Sequence, residues 1–241
     1  MKGITIGLCL LALVSAAPAG IVFSENFDGE GSAAGNPING YNGWSGHETM
    51  VFSDTVIDSG LSAGAVAGVN WPNVAKSFSY TPAADEVYTL TATLYISQAD
   101  QYASVEMDMG GLMPLYAGLG ASAVGRLEFG FYTDEEWNEY ITVATTAYTV
   151  GDAIDIQAVV TNGNADCYYR VHGSSEWTLV GSLTDDAIVP ADFNRVKVSN
   201  RGGVVGGRTD SILLTSEVVP EPVTLGLLSV GGLGILLRRR R

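Results

Sequence analysis

Two acidic residues at alternate positions, Glu106 and Asp108, are the strongest candidates for chemistry in this sequence of 241 residues. They lie in Val105–Gly111 (VEMDMGG), where polar and apolar residues alternate as is typical of a β-strand. Side chains two residues apart point to the same face of a strand, so both carboxylates would share one face. Such a pair suits glycoside hydrolysis, in which one carboxylate is the nucleophile and a second carboxyl group is the general acid.

A complete acid–base set around Glu106 is not visible. Further along the same run, positions 110 and 111 are both glycine and have no proton to donate. Glu128, Glu135 or Glu136 could supply the acid from elsewhere, but the spacing does not show that they do. Since polar–apolar alternation alone explains both carboxylates, the sequence favours a solvated strand face over a catalytic pair.

Histidine and cysteine offer few other reactive groups or ligands. The chain has two histidines, His47 and His172, and two cysteines. A zinc site of the usual ligand types is therefore not favoured, and neither is a Ser-His-Asp arrangement. We interpret His172 as a surface or hydrogen-bonded strand residue, whereas His47 lies in a loop that could form the rim of a binding site.

Calcium is possible but has no predicted site. Asn162, Asn164 and Asp166 alternate like the start of a calcium loop, yet Asn162-Gly163-Asn164 is also typical of a hairpin turn, which we favour. A calcium ion held by Asp28, Asp210 or loop carbonyls would suit the acidic composition. The sequence thus predicts no resident cofactor and leaves the metal unassigned.

Three tryptophans in loop-like segments are candidates for carbohydrate binding. Trp44, Trp71 and Trp137 lie among glycine, proline, asparagine or acidic residues, and His47 is close to the first of them. An exposed indole face can stack on a sugar ring while neighbouring amides and carboxylates bond the hydroxyl groups. The alternative is that each indole packs as a lid over the edge of the core.

The N-terminus, Met1–Ala19, is typical of a secretory signal peptide, with an uncleaved N-terminal anchor as the alternative. Lys2 provides the positive charge, Ile4–Val14 is an apolar run of 11 residues, and Ala17-Pro18-Ala19 is a small-x-small cleavage site before Gly20. Cleavage there removes Cys9 and leaves Cys167 as the single cysteine, so no intramolecular disulfide is expected.

The C-terminus, residues 218–241, combines three features in a fixed order. Pro220, Glu221 and Pro222 form a stiff peptide, Val223–Leu237 is an uncharged run of 15 residues, and Arg238, Arg239, Arg240 and Arg241 end the chain. The run is shorter than the ~20 residues of a usual membrane helix, and four arginines favour the cytoplasmic side. The segment resembles the PEP-CTERM sorting signal. That resemblance implies a short transmembrane helix, an exosortase-like processing enzyme of Gram-negative bacteria as partner, and transient attachment to the inner membrane. An ordinary tail anchor is the alternative.

The part between these two signals is strongly acidic. It holds 7 basic and 25 acidic residues, a net charge of −18, against −14 for the whole chain. Such a surface repels nucleic acids and other polyanions, so nucleic-acid binding is excluded as a function. Its acidity instead suits solubility outside the cell.

Alternating apolar residues predict that residues 20–217 form one all-β domain, an antiparallel β-sandwich of the jelly-roll type. The opening run Ile21–Gly29, the segment Tyr148–Leu183 and the closing run Arg208–Leu214 resemble concanavalin A-like lectin, glucanase and laminin-G-like domains. This resemblance implies that the last strand pairs beside the first. Glu106 and Asp108 likewise resemble an incomplete laminarinase-type motif. An immunoglobulin-like or cellulose-binding jelly roll remains the alternative.

Three functions are compatible with this sequence. The first, which we favour, is a non-catalytic protein of the cell surface or extracellular matrix that binds or scaffolds exopolysaccharide, as in a biofilm. The second is a secreted glycosidase with a displaced general acid. The third is a structural or adhesive module that binds other proteins through an apolar patch. A sandwich of this kind supports all three, so fold alone cannot choose among them.

Overall fold

The structure is a computed structural model, and it describes residues 19–54, 60–66, 68–69, 71–83, 86–98, 101–108, 114–120, 125–132, 140–143, 148–201 and 207–218. The predicted signal peptide (1–19), except its last residue, and the sorting motif with its arginine-rich end lie outside the described residues, as does Trp137. Within the described part of the chain, no helix has the length and apolar character that a membrane crossing requires.

Fifteen strands and one short 3-10 turn, Pro190–Asp192, make up the regular structure of the described residues. The strands are β1 (Gly20–Glu25), β2 (Ser45–Gly46), β3 (Met50–Asp54), β4 (Leu61–Ala65), β5 (Asn73–Ser77), β6 (Glu86–Tyr95), β7 (Tyr102–Asp108), β8 (Leu115–Gly120), β9 (Arg126–Tyr132), β10 (Tyr140–Val143), β11 (Ala153–Thr161), β12 (Asn164–Val171), β13 (Thr178–Thr184), β14 (Arg195–Arg201) and β15 (Arg208–Val218).

The strands form two antiparallel sheets. The larger sheet has the order β13-β12-β11-β6-β15-β4-β3, with β1 also paired to β15, and the smaller sheet has the order β10-β9-β8-β7-β14-β5-β2. Buried apolar side chains from both sheets belong to one hydrophobic core, so the sheets pack face to face. This confirms the predicted all-β antiparallel sandwich.

Alternation along the strands decides which side chains enter the core. In β7, Ala103, Val105 and Met107 are buried in the core, while the intervening residues point to the outer face of the smaller sheet. In β11, Ile154 and Ile156 enter the core in the same way. The strands with the most regular polar–apolar alternation thus form at the positions that the sequence pattern predicts.

Two predicted connections are also confirmed. Strands β11 and β12 form a hairpin in which Thr161 pairs with Asn164, and Gly163 adopts the left-handed φ of 76° that a tight turn of this kind requires. The last strand pairs beside the first, since Gly20 of β1 lies opposite Ser216 of β15.

Candidate functional site

The outer face of the smaller sheet carries a cleft of about 400 Å³. Strands β5, β7, β8, β9 and β14 supply most of its lining, and the segment before β5 supplies one aromatic residue. The lining consists of four aromatic and five polar side chains: Trp71, Tyr102, Tyr116, Tyr132, Asn73, Glu106, Glu128, Lys197 and Ser199.

Strand register brings the charged residues of the cleft together. Glu106 of β7 lies directly opposite Lys197 of β14, and Asp108 lies opposite Arg195. The Lys197 Nζ is 2.5 Å from the Glu106 Oε2, and the Arg195 guanidinium donates two hydrogen bonds of 2.8 and 2.9 Å to the Asp108 carboxylate. Directly opposed residues of opposite charge stabilise an antiparallel pair of strands.

The prediction of a solvated face for Glu106 and Asp108 is therefore wrong. The two residues do share one face, but Glu106 is 7% exposed and Asp108 is fully buried. A buried carboxylate needs a partner charge or several donors, and here the neighbouring strand provides a cation for each. Sequence periodicity cannot reveal this pairing, because the partners lie far away in the chain.

Glu128, one of the three acids considered for a displaced general acid, lines the same cleft as Glu106. Its Oε1 is 2.9 Å from the Nε of Arg126, which stands two residues before it on β9. Glu106 and Glu128 thus each contact a different basic side chain, Lys197 and Arg126 respectively.

The tyrosines of the cleft lie across glycines of neighbouring strands. A Cβ atom at Gly130 of β9 would overlap the Tyr116 ring of β8, and a Cβ at Gly118 would come within 2.8 Å of the Tyr102 hydroxyl. Tyr116 also contacts Tyr132, with ring centroids 5.8 Å apart. Because glycine has no side chain, the tyrosine rings have room to lie over the sheet. We call the rings of Tyr102, Tyr116 and Tyr132 the aromatic floor.

Tyr102 is the most buried of these tyrosines, at 7% exposure. Burial, together with the nearby negative charges of Glu128 and Glu106, raises the pKa of its phenol well above the usual value. The Tyr102 hydroxyl therefore stays neutral under ordinary conditions and can both donate and accept a hydrogen bond.

Trp71 stands at the edge of this aromatic floor in a strained conformation. Its φ is 56°, in the left-handed region that a bulky residue rarely adopts, and its side chain is 50% exposed. The indole contacts the Tyr102 ring edge-on, with centroids 4.7 Å apart. The next residue, Pro72, accepts a hydrogen bond of 3.1 Å from the Asn200 backbone N–H at the end of β14. A strained backbone thus presents a large aromatic group to solvent.

Trp44, another predicted carbohydrate-binding residue, is a core residue instead. It is 1% exposed, its Nε1 donates a hydrogen bond of 3.0 Å to Glu25 Oε2, and its ring packs against Phe23 and Phe27. The prediction that its ring is available to a ligand is wrong, because the glycine-rich loop around it folds over the edge of the sandwich. Trp44 therefore packs over the edge of the core, which was the alternative to carbohydrate binding.

We expect Trp44→Phe to lower the free energy of unfolding by about 1–3 kcal/mol, because it shrinks a buried side chain and removes a hydrogen bond to the buried Glu25. Urea denaturation measures the change. Trp71→Phe serves as the matched control and should change stability by less than about 1 kcal/mol, since half of that side chain is exposed. Equal losses in the two variants would contradict the assignment of Trp44 to the core.

His47 lies close to the cleft but does not line it. It is exposed, its backbone N–H donates a hydrogen bond of 2.8 Å to the carbonyl of Asn73, and its Nδ1 is 2.8 Å from the Thr49 hydroxyl. Its backbone therefore helps to position Asn73, which is a lining residue. The carbohydrate-binding role predicted for the His47 side chain stays a prediction.

A serine nucleophile finds no support in the described structure. Gly60-Leu61-Ser62-Ala63-Gly64 matches the Gly-x-Ser-x-Gly pattern of serine hydrolases, but Ser62 is fully buried within β4 rather than exposed at a strand-to-helix turn. Its hydroxyl donates to the Ser53 carbonyl at 3.4 Å. Cys167 is also buried, and burial raises the pKa of its thiol to about 12, so no reactive thiolate forms there.

Within the described residues, no group of three or more His, Cys, Asp or Glu side chains could hold a metal ion. The Asp28 carboxylate accepts the backbone N–H of Leu61, and the Asp210 carboxylate accepts that of Ser211 at 2.7 Å. Calcium therefore remains unassigned.

No protein-family model matches the chain, and no curated protein matches it in sequence. Solved structures do match. The globular domain of T. cruzi calreticulin aligns with a TM-score of 0.56 at 11% identity, over 89% of this chain and 95% of that domain. Arcelin-5, a lectin-like defence protein from Phaseolus vulgaris, gives 0.51 at 11% identity over 82% and 99% of the two chains. A xylan β-1,4-xylosidase from Bacillus halodurans C-125 gives 0.53 at 10% identity over 79% of this chain and 38% of the enzyme.

These likenesses establish the fold as a lectin-like β-sandwich, in agreement with the resemblance to concanavalin A-like domains. At such low identity they establish nothing further, and the three proteins differ in what their names describe. The site must therefore be interpreted from its own residues. Of the predicted binding residues, the structure places Trp71 at the cleft, whereas the three tyrosines and Lys197 were not predicted.

Proposed function

We propose that this domain binds a neutral polysaccharide in the cleft of the smaller sheet and does not cleave it. The observation that carries the proposal is Trp71, a strained and half-exposed tryptophan placed beside a floor of tyrosines. Strained backbone persists where the surroundings impose it, and it is concentrated at functional sites. An indole beside flat phenol rings offers the apolar surfaces on which pyranose rings stack.

The size and polar groups of the cleft suit a few sugar units. Small-molecule sites typically measure about 300–1,000 Å³, and this cleft has about 400 Å³. Asn73, Ser199 and the Tyr102 hydroxyl provide donors and acceptors for sugar hydroxyls. The cleft therefore combines stacking surface with the hydrogen-bonding groups that orient a sugar.

The charges favour a neutral ligand. The carboxylates of Glu106 and Glu128 contact Lys197 and Arg126, so the cleft does not present an unpaired cation for a uronate or sulfate. The part of the chain between the two predicted signals also has a net charge of −18, which disfavours polyanions at low salt. The names of two structural neighbours, a lectin-like protein and a xylosidase, are in keeping with a saccharide ligand.

A glycosidase is the second candidate, because Glu106 and Glu128 line one cleft. A retaining enzyme needs two carboxyl groups about 5–5.5 Å apart, one of them protonated. In this cleft, however, each carboxylate already contacts a basic side chain, Glu106 with Lys197 and Glu128 with Arg126, and neither is placed as a free acid or nucleophile. The non-catalytic function is therefore the better supported one.

We further propose that the protein is exported and sorted through its C-terminal segment to the cell surface or matrix, where the bound polymer is an exopolysaccharide. The resemblance of residues 218–241 to the PEP-CTERM signal supports this. Replacing Pro220, Glu221 and Pro222 by alanine should leave the C-terminal segment uncleaved and the protein in the inner membrane. Mass spectrometry of the C-terminal peptide tests the cleavage, and release of the unchanged protein by the triple variant would contradict it.

The binding proposal is tested by screening residues 20–218, which contain both sheets, against an array of neutral and acidic glycans, with reducing-sugar release measured in parallel. We expect binding to neutral glycans without release, and a repeat with chelator reports on calcium. Release that Glu106→Gln abolishes would establish the glycosidase instead. No binding and no release would favour the protein-binding alternative.

The aromatic floor provides a sharper test. Gly130→Ala places a Cβ where the Tyr116 ring lies, so we expect Tyr116 to be displaced and binding to weaken by roughly fivefold or more. Isothermal titration calorimetry measures the affinity. Gly20→Ala is the matched control, since a Cβ there meets only the Ser216 carbonyl at 3.9 Å, and its affinity should equal the wild-type value. Unchanged affinity in Gly130→Ala would mean that the floor does not contact the ligand.

A further inference from the structure

A second pocket lies on the opposite side of the sandwich, on the outer face of the larger sheet. It has a volume of about 220 Å³, below the roughly 300–1,000 Å³ of typical small-molecule sites, so it would take no more than about one sugar ring. Thr91 and Thr93 of β6, Asp155 of β11, Arg170 of β12 and Ser211 of β15 line it, together with His172, which follows β12, and Trp177, which precedes β13.

Asp155 organises the polar groups of this pocket. Its Oδ1 accepts a hydrogen bond of 2.8 Å from the Thr93 hydroxyl and lies 2.7 Å from His172 Nδ1, while its Oδ2 accepts one of 2.8 Å from Arg170 Nε. Burial by itself would raise the pKa of Asp155, but the hydrogen bonds from His172, Thr93 and Arg170 outweigh it, and the pKa is lowered. Asp155 is therefore charged, and its acceptor capacity is largely used.

The Arg170 guanidinium has hydrogen-bond donors that its contact with Asp155 does not use. Its guanidinium carbon lies 4.4 Å from the centroid of the Trp177 ring, so the indole and the Asp155 carboxylate fix the orientation of the guanidinium. Arg170 bonds Asp155 through Nε, and within the described residues its two terminal NH₂ groups have no hydrogen-bond acceptor. A fixed guanidinium with free donors favours ligands that present acceptor oxygens.

The backbone at the pocket is also strained. Ser211 has a φ of 51°, and it lies in the irregularity between Asp210 and Leu213 where β15 departs from regular pairing with β6. Bulges of this kind are common next to functional sites. The cleft and this second pocket thus each have a non-glycine residue with left-handed backbone in their lining, Trp71 in the cleft and Ser211 in the second pocket.

We propose that this pocket is a second saccharide-binding site, in which one pyranose ring packs against Trp177 and presents acceptor oxygens to Arg170. The inference shares its ligand class with the proposed function, but it concerns a separate site. Because the two sites lie on opposite faces of the sandwich, one molecule joins two polysaccharide strands.

Fluorine NMR of protein containing fluorinated tryptophan tests each site separately. The four tryptophans give four resonances, which single Trp→Phe variants assign. The probes are xylohexaose and hexagalacturonate, since acceptor oxygens can come from hydroxyls or from a carboxylate. We expect the Trp177 resonance to shift saturably with at least one probe, while the Trp44 resonance, from a buried ring, does not move.

Arg170→Met should weaken this Trp177 response roughly tenfold or more, because it removes the guanidinium donors. An unchanged Trp44 resonance in the variant shows that the fold is intact. A Trp177 shift without a Trp71 shift supports the second site and counts against the proposed cleft. A Trp71 shift without a Trp177 shift overturns the second site and leaves the proposed function standing, and silence at both overturns both.

Discussion

Trp71→Ala is expected to weaken saccharide binding by roughly tenfold or more while changing the free energy of unfolding by less than about 1 kcal/mol. The indole is half exposed, so little core packing is lost, but the largest stacking surface of the cleft disappears. Isothermal titration calorimetry and urea denaturation give the two quantities. Leu179→Ala is the matched control, since Leu179 is 51% exposed but does not line the cleft.

Comparison with Trp71→Gly separates function from strain. The φ of 56° at this position costs alanine about 1 kcal/mol, whereas glycine adopts it freely. Trp71→Gly should therefore be more stable than Trp71→Ala by about 1 kcal/mol and bind equally weakly. If both variants bound like the Leu179→Ala protein, Trp71 would have no part in recognition and the strain would need another explanation.

Removing Lys197 should have the largest effect on stability. Lys197 and Glu106 are each 7% exposed and contact one another directly, so Lys197→Met leaves a buried carboxylate without its cation. Loss of one partner from a buried ion pair typically costs about 3–5 kcal/mol. We expect a decrease of this size in the free energy of unfolding, measured by urea denaturation.

Two further variants show whether the missing charge partner is the cause. Lys197→Met combined with Glu106→Gln removes both charges and should recover more than half of the loss, because a neutral pair no longer requires a cation. Arg126→Met breaks the exposed pair with Glu128 and should cost at most about 1 kcal/mol. A cost for Lys197→Met as small as that for Arg126→Met would mean that water in the cleft solvates Glu106.

Regular alternation made part of the fold predictable. Strand β6 carries Leu90 and Leu94 on one parity and threonines on the other, and its position follows from that pattern. Small residues make up most of strand β4 (LSAGA) and half of strand β8 (LYAGLG), and their hydrophobic signal is weak. Their place in the sheets depends on neighbours that are distant in sequence, so tertiary packing decides it.

Residues of the site could be predicted only where the residue type and its local sequence were sufficient to indicate a binding role. Trp71 could be chosen because a tryptophan in a loop is conspicuous, and Trp44 was chosen wrongly for the same reason. Sequence shows that Glu106 and Asp108 share a face, but not that β14 places Lys197 and Arg195 opposite them. The position of Tyr116 over Gly130 likewise follows from the register of β8 and β9, which sequence does not specify.

The position of β15 has a mechanical consequence. From Ile212 to Ser216 this strand is paired with β1 on one edge, and β6 is paired along most of its other edge. A tether attached after Val218 would pull along β15, and antiparallel hydrogen bonds run perpendicular to the strands. Such a load would shear both rows of bonds together instead of peeling them one by one. If the domain is tethered after Val218 and binds a polymer in the cleft as proposed, a pull on that polymer would therefore need considerable force to take the sandwich apart.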